Sequence, residues 1–247
     1  MVFIVRRAFY QCFMLHKNGA AVTFGLESAN VVGYQTISIA QGFSMATPTF
    51  KVVTGGDYKL GDISVVGAQG YGDFYGQMIN ADGSWGTTYY YLTEAMTGSS
   101  DGWYSDSWGE ASANDIPVPY GSGLFITSTD GAVELIVSGA VPAGKQTITV
   151  PAGFSQIGNS LPVGIPLSSV EVSGAQGYGD FYCQAINADG SWGATYYYLT
   201  EAMTGAANGW YLDTWGETSA DVTVQPGQAY FFTSSDGDCT ITLPSVL

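Results

Sequence analysis

Polar and apolar side chains alternate with period two along residues 34–39 and 147–150, the pattern of a strand that buries one face. Residues 180–187, 194–200 and 229–233 concentrate aromatic and β-branched side chains between turn residues, which also predicts strands. Asn-Ala-Asp-Gly at 80–83 and again at 187–190 predicts a hairpin, a type I turn closed by a glycine in the left-handed conformation. Beyond residue 30 no apolar stripe holds helical spacing for three turns. The chain therefore reads as all-β.

The strand pattern occurs twice. GAQGYGDFY at Gly67 returns at Gly174, INADGSWG at Ile79 returns at Ile186, and TYYYLTEAMTG at Thr88 returns at Thr195. Of the 44 positions 67–110, 36 are identical in 174–217. QTIS at Gln35 pairs with QTIT at Gln146, and Gly42-Phe43-Ser44 with Gly153-Phe154-Ser155. Each unit has the length of a domain rather than of a solenoid repeat. The expectation is an N-terminal arm or signal remnant at 1–29, then two tandem β-sandwiches, jelly-roll-like or otherwise, at 30–140 and 141–247. A Pro/Gly hinge at 140–144 would join them.

Charge narrows the function classes. The 247 residues carry 6 Lys+Arg against 21 Asp+Glu, a formal net charge of −15, yet only 11% are charged and 46% are hydrophobic. Clustered cations for a nucleic-acid groove or an anionic membrane surface are missing. The apolar content argues for packed cores rather than disorder. From residue 30 onward three lysines face 20 acids, a charge of −17, and residues 60–144 and 146–247 contain no basic side chain. Burial and backbone hydrogen bonding, not ion pairs, must hold this body together. Association between such bodies is expected to strengthen with salt or with falling pH.

Residues 1–15 are apolar but interrupted by Arg6 and Arg7, too short and too charged for a membrane span. Read from Met14, His16-Lys17, the apolar run 19–26 and Glu27-Ser28-Ala29 resemble an export signal. The alternative is a retained arm whose Val2, Ile4 and residues 9–15 add a strand to a neighbouring subunit.

Ser28-Ala-Asn-Val-Val-Gly-Tyr34, VPAGFSQIGNSLPVG from Val150, and Gly-Trp-Tyr at 102 and 209 resemble a poorly characterised group of exported bacterial tandem β-repeat surface proteins, over residues 28–247. The resemblance implies an extracellular or cell-surface location and supplies no catalytic residue. Of the three cysteines, Cys12 falls in the N-terminal segment, while Cys183 and Cys239 lie in the second unit opposite Gly76 and Val133 of the first. Two cysteines that differ together between copies favour a Cys183–Cys239 disulfide in an oxidising compartment, with two buried free thiols as the alternative.

The single histidine, His16, leaves no Ser-His-Asp or Cys-His set in the body of the chain. No Cys-x-x-Cys, phosphate-loop or EF-hand spacing occurs. Asp82, Asp101, Asp130, Asp236 and Asp238 sit in turns, where weak Ca2+ binding is the most that their oxygens offer, with no site to assign. Glu94/Glu110 and Glu201/Glu217 are the carboxylate pairs a glycosidase would use, but loop positions favour solvated carboxylates. Neither an enzymatic activity nor a cofactor is expected.

Six tryptophans and 17 tyrosines are the sharper feature. Trp85, Trp103, Trp108 and their copies Trp192, Trp210, Trp215 fall at strand ends or in turns. Tyr89-Tyr90-Tyr91 puts Tyr89 and Tyr91 on one sheet face and Tyr90 on the other, as the copy does with Tyr196 and Tyr198. Such rings act as sugar platforms, or they bury area in a core or subunit interface. Strands almost free of lysine lack the usual protection of sheet edges, and one surface presented twice suits head-to-tail stacking. The first expectation is therefore an exported structural protein that self-assembles into a filament or surface layer. The alternative is a carbohydrate-binding or adhesive module using the Trp and Tyr platforms, with polysaccharide as partner.

Overall fold

The computed structural model describes residues 10–11, 25–26, 31–80 and 82–247. The chain is 50% strand and 6% helix, in small antiparallel sheets. In the first copy Gly42–Ala46, Leu124–Ser128, Tyr71–Ile79, Trp85–Leu92 and Gly102–Tyr104 form a five-stranded sheet in that order. Val32–Ile39, Val133–Ala140 and Ser64–Val66 form a three-stranded one. The second copy repeats the larger sheet as Gly153–Gly158, Ala229–Ser234, Tyr178–Ile186, Trp192–Leu199 and Gly209–Tyr211, and the smaller as Gln146–Val150, Cys239–Leu243 and Glu171–Ser173. Near the N-terminus Tyr10–Gln11 pairs with Gly25–Leu26. The rest of the expected arm, with Cys12 and His16, lies outside the described residues.

Period-two patterning decides which face each strand buries. Val133, Leu135 and Val137 point into the first core, while Glu134 and Ser138, at alternate positions, are exposed. Phe74 and Ile126 of the five-stranded sheet share that core, and the Trp103 ring packs 5.8 Å from Phe74. Phe181, Trp210 and Phe232 repeat the arrangement against Ile148, Val150 and Ile241. Both expected hairpins form: Gly83 and Gly190 donate to the Asn80 and Asn187 carbonyls at 2.9 Å, with φ of 82° and 83°.

The all-β expectation holds, but the four sheets are arranged as a four-blade propeller rather than as two tandem sandwiches. The physical reason is the way the copies meet. Thr47 N–H donates to the Gly227 carbonyl, and Gly158 N–H donates to the Gly121 carbonyl, both at 2.9 Å. Ala46 bridges Gln228, and Ser122 bridges Ile157. With the pairing inside each sheet, these bridges close a ring through Gly42–Ala46, Leu124–Ser128, Gly153–Gly158 and Ala229–Ser234. Gly121 and Gly227, at φ of 87° and 77°, lie beneath Ile148 and Ile37 of the opposite copy, and a Cβ on either would stand 2.5 Å from an isoleucine Cδ1. Only glycine meets both demands.

Every one of these contacts is reciprocal, as in an isologous, closed interface. One surface that the duplication presents twice is therefore paired within the chain. Gly42–Ala46 and Gly153–Gly158, each at the edge of its own sheet, are partly covered by the other copy. The expected hinge is tied down too, because Ala140 pairs with Lys51 in both directions and Val141 is buried.

Cys183 and Cys239 are buried and free, not bridged. They stand on different sheets of the second core, Cys183 between Tyr196 and Phe232 and Cys239 opposite Val150. The Cys239 sulfur instead lies 3.2 Å from Ser234 Oγ. Burial pushes the Cys183 thiol well above its usual range, away from thiolate chemistry. Both serve as small apolar fillers. Dithiothreitol should thus leave the thermal midpoint unmoved, and a clear drop on reduction would reveal a bridge.

Candidate functional site

The six tryptophans separate into three pairs with different surroundings. Trp103 and Trp210 are fully buried core residues at the ends of the five-stranded sheets, so neither can serve as a platform. Tyr196 and Tyr198 are buried in the second core, and Tyr89 and Tyr91 pack against the first. Trp85 and Trp192 stay half-exposed, but they belong to a cluster at the junction of the copies. Trp85 lies 4.8 Å from Phe125 and 5.9 Å from Phe231, and Trp192 lies 5.1 Å from Phe231. Only the third pair stands free, with Trp108 and Trp215 exposed by 74% and 73%.

That exposure is imposed by the local backbone. Asp106 accepts from the N–H groups of Trp108 at 2.9 Å and Ala111 at 2.7 Å, and from that of Glu110 at 3.1 Å. Asp213 does the same for Trp215, Glu217 and Thr218, at 2.9, 3.1 and 2.8 Å. An aspartate two residues before the aromatic ring thus folds the loop around its own carboxylate. Each loop rests on a four-residue helix, Glu94–Thr97 or Glu201–Thr204, with Gly109 against Thr97 and Gly216 against Thr204. Those helices are anchored in turn: Asp101 and Asn208 accept from the Glu94 and Glu201 N–H groups at 2.7 Å. The indoles project from two pinned loops rather than from mobile tips.

The N–H donors hold both carboxylates below their ordinary value of 3.8, the Ala111 N–H contributing most at Asp106 and that of Glu217 most at Asp213. A depressed acid stabilises the fold above its ordinary value, and this contribution disappears as pH falls through the lowered one. The indole N–H signals of Trp108 and Trp215 should therefore keep their positions from pH 7 to about 4 and change only below about 3.8. Asp106→Asn should loosen the first loop alone at neutral pH. Indole signals that stay fixed down to pH 2 would contradict the anchoring role.

A comparison of the copies singles out the same surface. Against 36 of 44 identical positions in 67–110, only seven of 19 match between 32–50 and 143–161, and eight of 23 between 115–137 and 221–243. The exposed Tyr71, Trp85, Glu94, Met96, Trp108 and Glu110 are all identical in the second copy, whereas buried Gly76 becomes Cys183. Core packing alone would not keep exposed indoles and a methionine the same while it let a buried position change.

The outer face of each larger sheet carries rings that the sequence did not single out. Phe43, Thr127, Tyr75, Tyr90 and Tyr104 lie in register across five strands, and the Tyr75 and Tyr90 rings meet at 5.6 Å, tilted by 48°. Tyr182 and Tyr197 repeat the pair at 5.5 Å. The strict alternation of Tyr89-Tyr90-Tyr91 holds the only signal for this row, because it sends the middle ring outward.

The turn aspartates are engaged within the protein, Asp82 in its own turn and the others with more distant segments. Asp82 accepts from Ser84, Asp101 from Glu94 N–H, Asp238 from Ala152 N–H at 2.9 Å, and Asp130 and Asp236 from the Tyr71 and Tyr178 hydroxyls. Among the described residues no group of three or more His, Cys, Asp or Glu side chains is placed to hold a metal ion. Nor is any described helix long and apolar enough to cross a membrane. Comparison with family models, curated proteins and solved structures returns no match, so the function of the two tryptophan loops rests on their own chemistry.

Proposed function

We propose that the chain is an exported, non-catalytic module that binds polysaccharide or other surface glycan through two equivalent sites. The observation that carries this reading is the pair of pinned loops presenting Trp108 and Trp215, three-quarters exposed and identical in both copies. An indole held flat and open stacks on the apolar face of a pyranose, while Glu110 and Glu94, or Glu217 and Glu201, offer acceptors for sugar hydroxyls. Two sites on one rigid body raise the apparent affinity for a polymer above that for its monomer by roughly two to four orders of magnitude. Titration of tryptophan fluorescence with xylan, mannan and β-glucan tests it. One polymer should shift the emission at concentrations where its monosaccharide has no effect; silence with all three and with a glycan array would remove the reading.

Self-assembly into a surface structure is the second reading. It is supported by the two edge strands of the first three-stranded sheet, where Val32 and Tyr34 on one and Val66 on the other are exposed. In the second copy the Lys145–Glu171 ion pair at 2.5 Å places a charge at each of the two corresponding edges. An unguarded edge on one copy alone suits a closed pair of chains better than an open filament. Sedimentation velocity across the micromolar range distinguishes a dimer, a polymer and a monomer.

A further inference from the structure

Two clefts open between the copies at equivalent positions. The larger, of 460 Å³, runs along Phe43, Ser44 and Met45. Its counterpart, of 260 Å³, runs along Phe154, Ser155 and Gln156, with Ile79 and Pro119 of the first copy opposite. Among the described residues no charged side chain lines either cleft, in a chain of net charge −15. The clefts differ in the one residue that matters for recognition, because Gln156 stands where the larger has Met45.

The floor of the smaller cleft is polar and incompletely paired. Gln156 is only 4% exposed, yet its Nε2 has no hydrogen-bond partner, whereas Ser155 faces the second core opposite Phe232. The other end of the amide is fixed, since Gln156 Oε1 accepts from Ile79 N–H at 2.9 Å. The unpaired end is therefore a donor, and a buried donor without an acceptor calls for a partner. At the rim the Phe154 ring is 45% exposed. An uncharged lining, one open ring face and one buried donor describe a site for a neutral ring that carries hydroxyls. The volume falls below the roughly 300–1,000 Å³ of pockets for drug-sized ligands, which suits one monosaccharide unit rather than an oligosaccharide.

We infer that the smaller cleft binds a single neutral pyranose, its apolar face on Phe154 and one of its oxygens accepting from Gln156 Nε2, both side chains lying on the same face of the strand. The inference rests on the carbohydrate reading for the class of ligand, but it uses residues remote in sequence from the tryptophan loops.

The test is a 1H–15N spectrum of the labelled full chain, titrated with methyl β-D-glucopyranoside, methyl α-D-mannopyranoside and methyl N-acetyl-β-D-glucosaminide. With one of these the Gln156 side-chain amide should shift saturably. Gln156→Met, which installs the residue of the twin cleft, should weaken that glycoside about tenfold. Phe154→Ala, which removes the stacking face at the rim, should weaken it severalfold and serves if Gln156→Met fails to fold. A silent Gln156 amide with all three glycosides, or unchanged affinity in a folded variant, overturns the inference. The indole signals of Trp108 and Trp215 report the other sites in the same spectra. Their shifting while Gln156 stays silent would sink the cleft and spare the loops; the converse would spare the cleft and sink the loops.

Discussion

Replacing Trp108 and Trp215 together by alanine should reduce binding to a polymeric glycan by two orders of magnitude or more and leave the thermal midpoint almost unmoved. Both rings are about three-quarters exposed, so little burial is lost on truncation, and changes at such positions normally stay within about 0.5 kcal/mol of stability. Binding loses much more. Each platform supplies roughly 1 kcal/mol of stacking, close to tenfold in affinity, and loss of either also removes the gain from simultaneous engagement. Trp108→Ala and Trp215→Ala should therefore be equivalent singly, each reducing the protein to monovalent affinity, because Asp106 and Asp213 build the same loop. Affinity electrophoresis in a polysaccharide gel reads all three variants at once. A double variant retarded as strongly as the parent would transfer the binding role to the junction cluster or the clefts.

How much of this was legible in the residues differs from element to element. The alternation along 133–140 and through Tyr89-Tyr90-Tyr91 is a local property, fixed by the strand period, and the faces follow from it. The Asn80 and Asn187 hairpins are equally local, because the turn type and the glycine specify each other. Separating Trp103 from Trp108 needed more. An aspartate stands two residues before each, Asp101 and Asp106, and only the fold shows that Asp106 pins Trp108 N–H while Asp101 reaches Glu94 N–H instead.

The junction was beyond reach for a different reason. Gly121 and Gly227 read as ordinary turn glycines, and their second requirement comes from Ile148 and Ile37 more than twenty residues away in the opposite copy. Repetition shows that two units exist, but not that they close on each other reciprocally. The cysteine pairing failed in a similar way: two residues that change together between copies can do so by filling one core from different sheets.

Reciprocal closure has a consequence for folding. Phe231 is buried at the junction, 5.9 Å from Phe125 and 5.1 Å from Trp192, and truncating a buried phenylalanine costs about 3–5 kcal/mol. If the copies unfolded separately, Phe231→Ala would weaken mainly the second, and urea unfolding would split into a parental phase and an earlier one. The closed ring of strands predicts otherwise. Opening one copy strips the other of backbone partners at Thr47 or Gly158 and exposes the aromatic cluster, so neither half has a stable folded state of its own. One transition should therefore shift as a whole, with fluorescence and far-UV circular dichroism superimposed. Phe181→Ala is the sharper probe, because Phe181 lies in the second core alone and touches neither the junction nor the first copy. If that change also moves the entire transition by about 3–5 kcal/mol, the duplicated chain folds as one body; if it leaves half the amplitude at the parental midpoint, the two copies are independent after all.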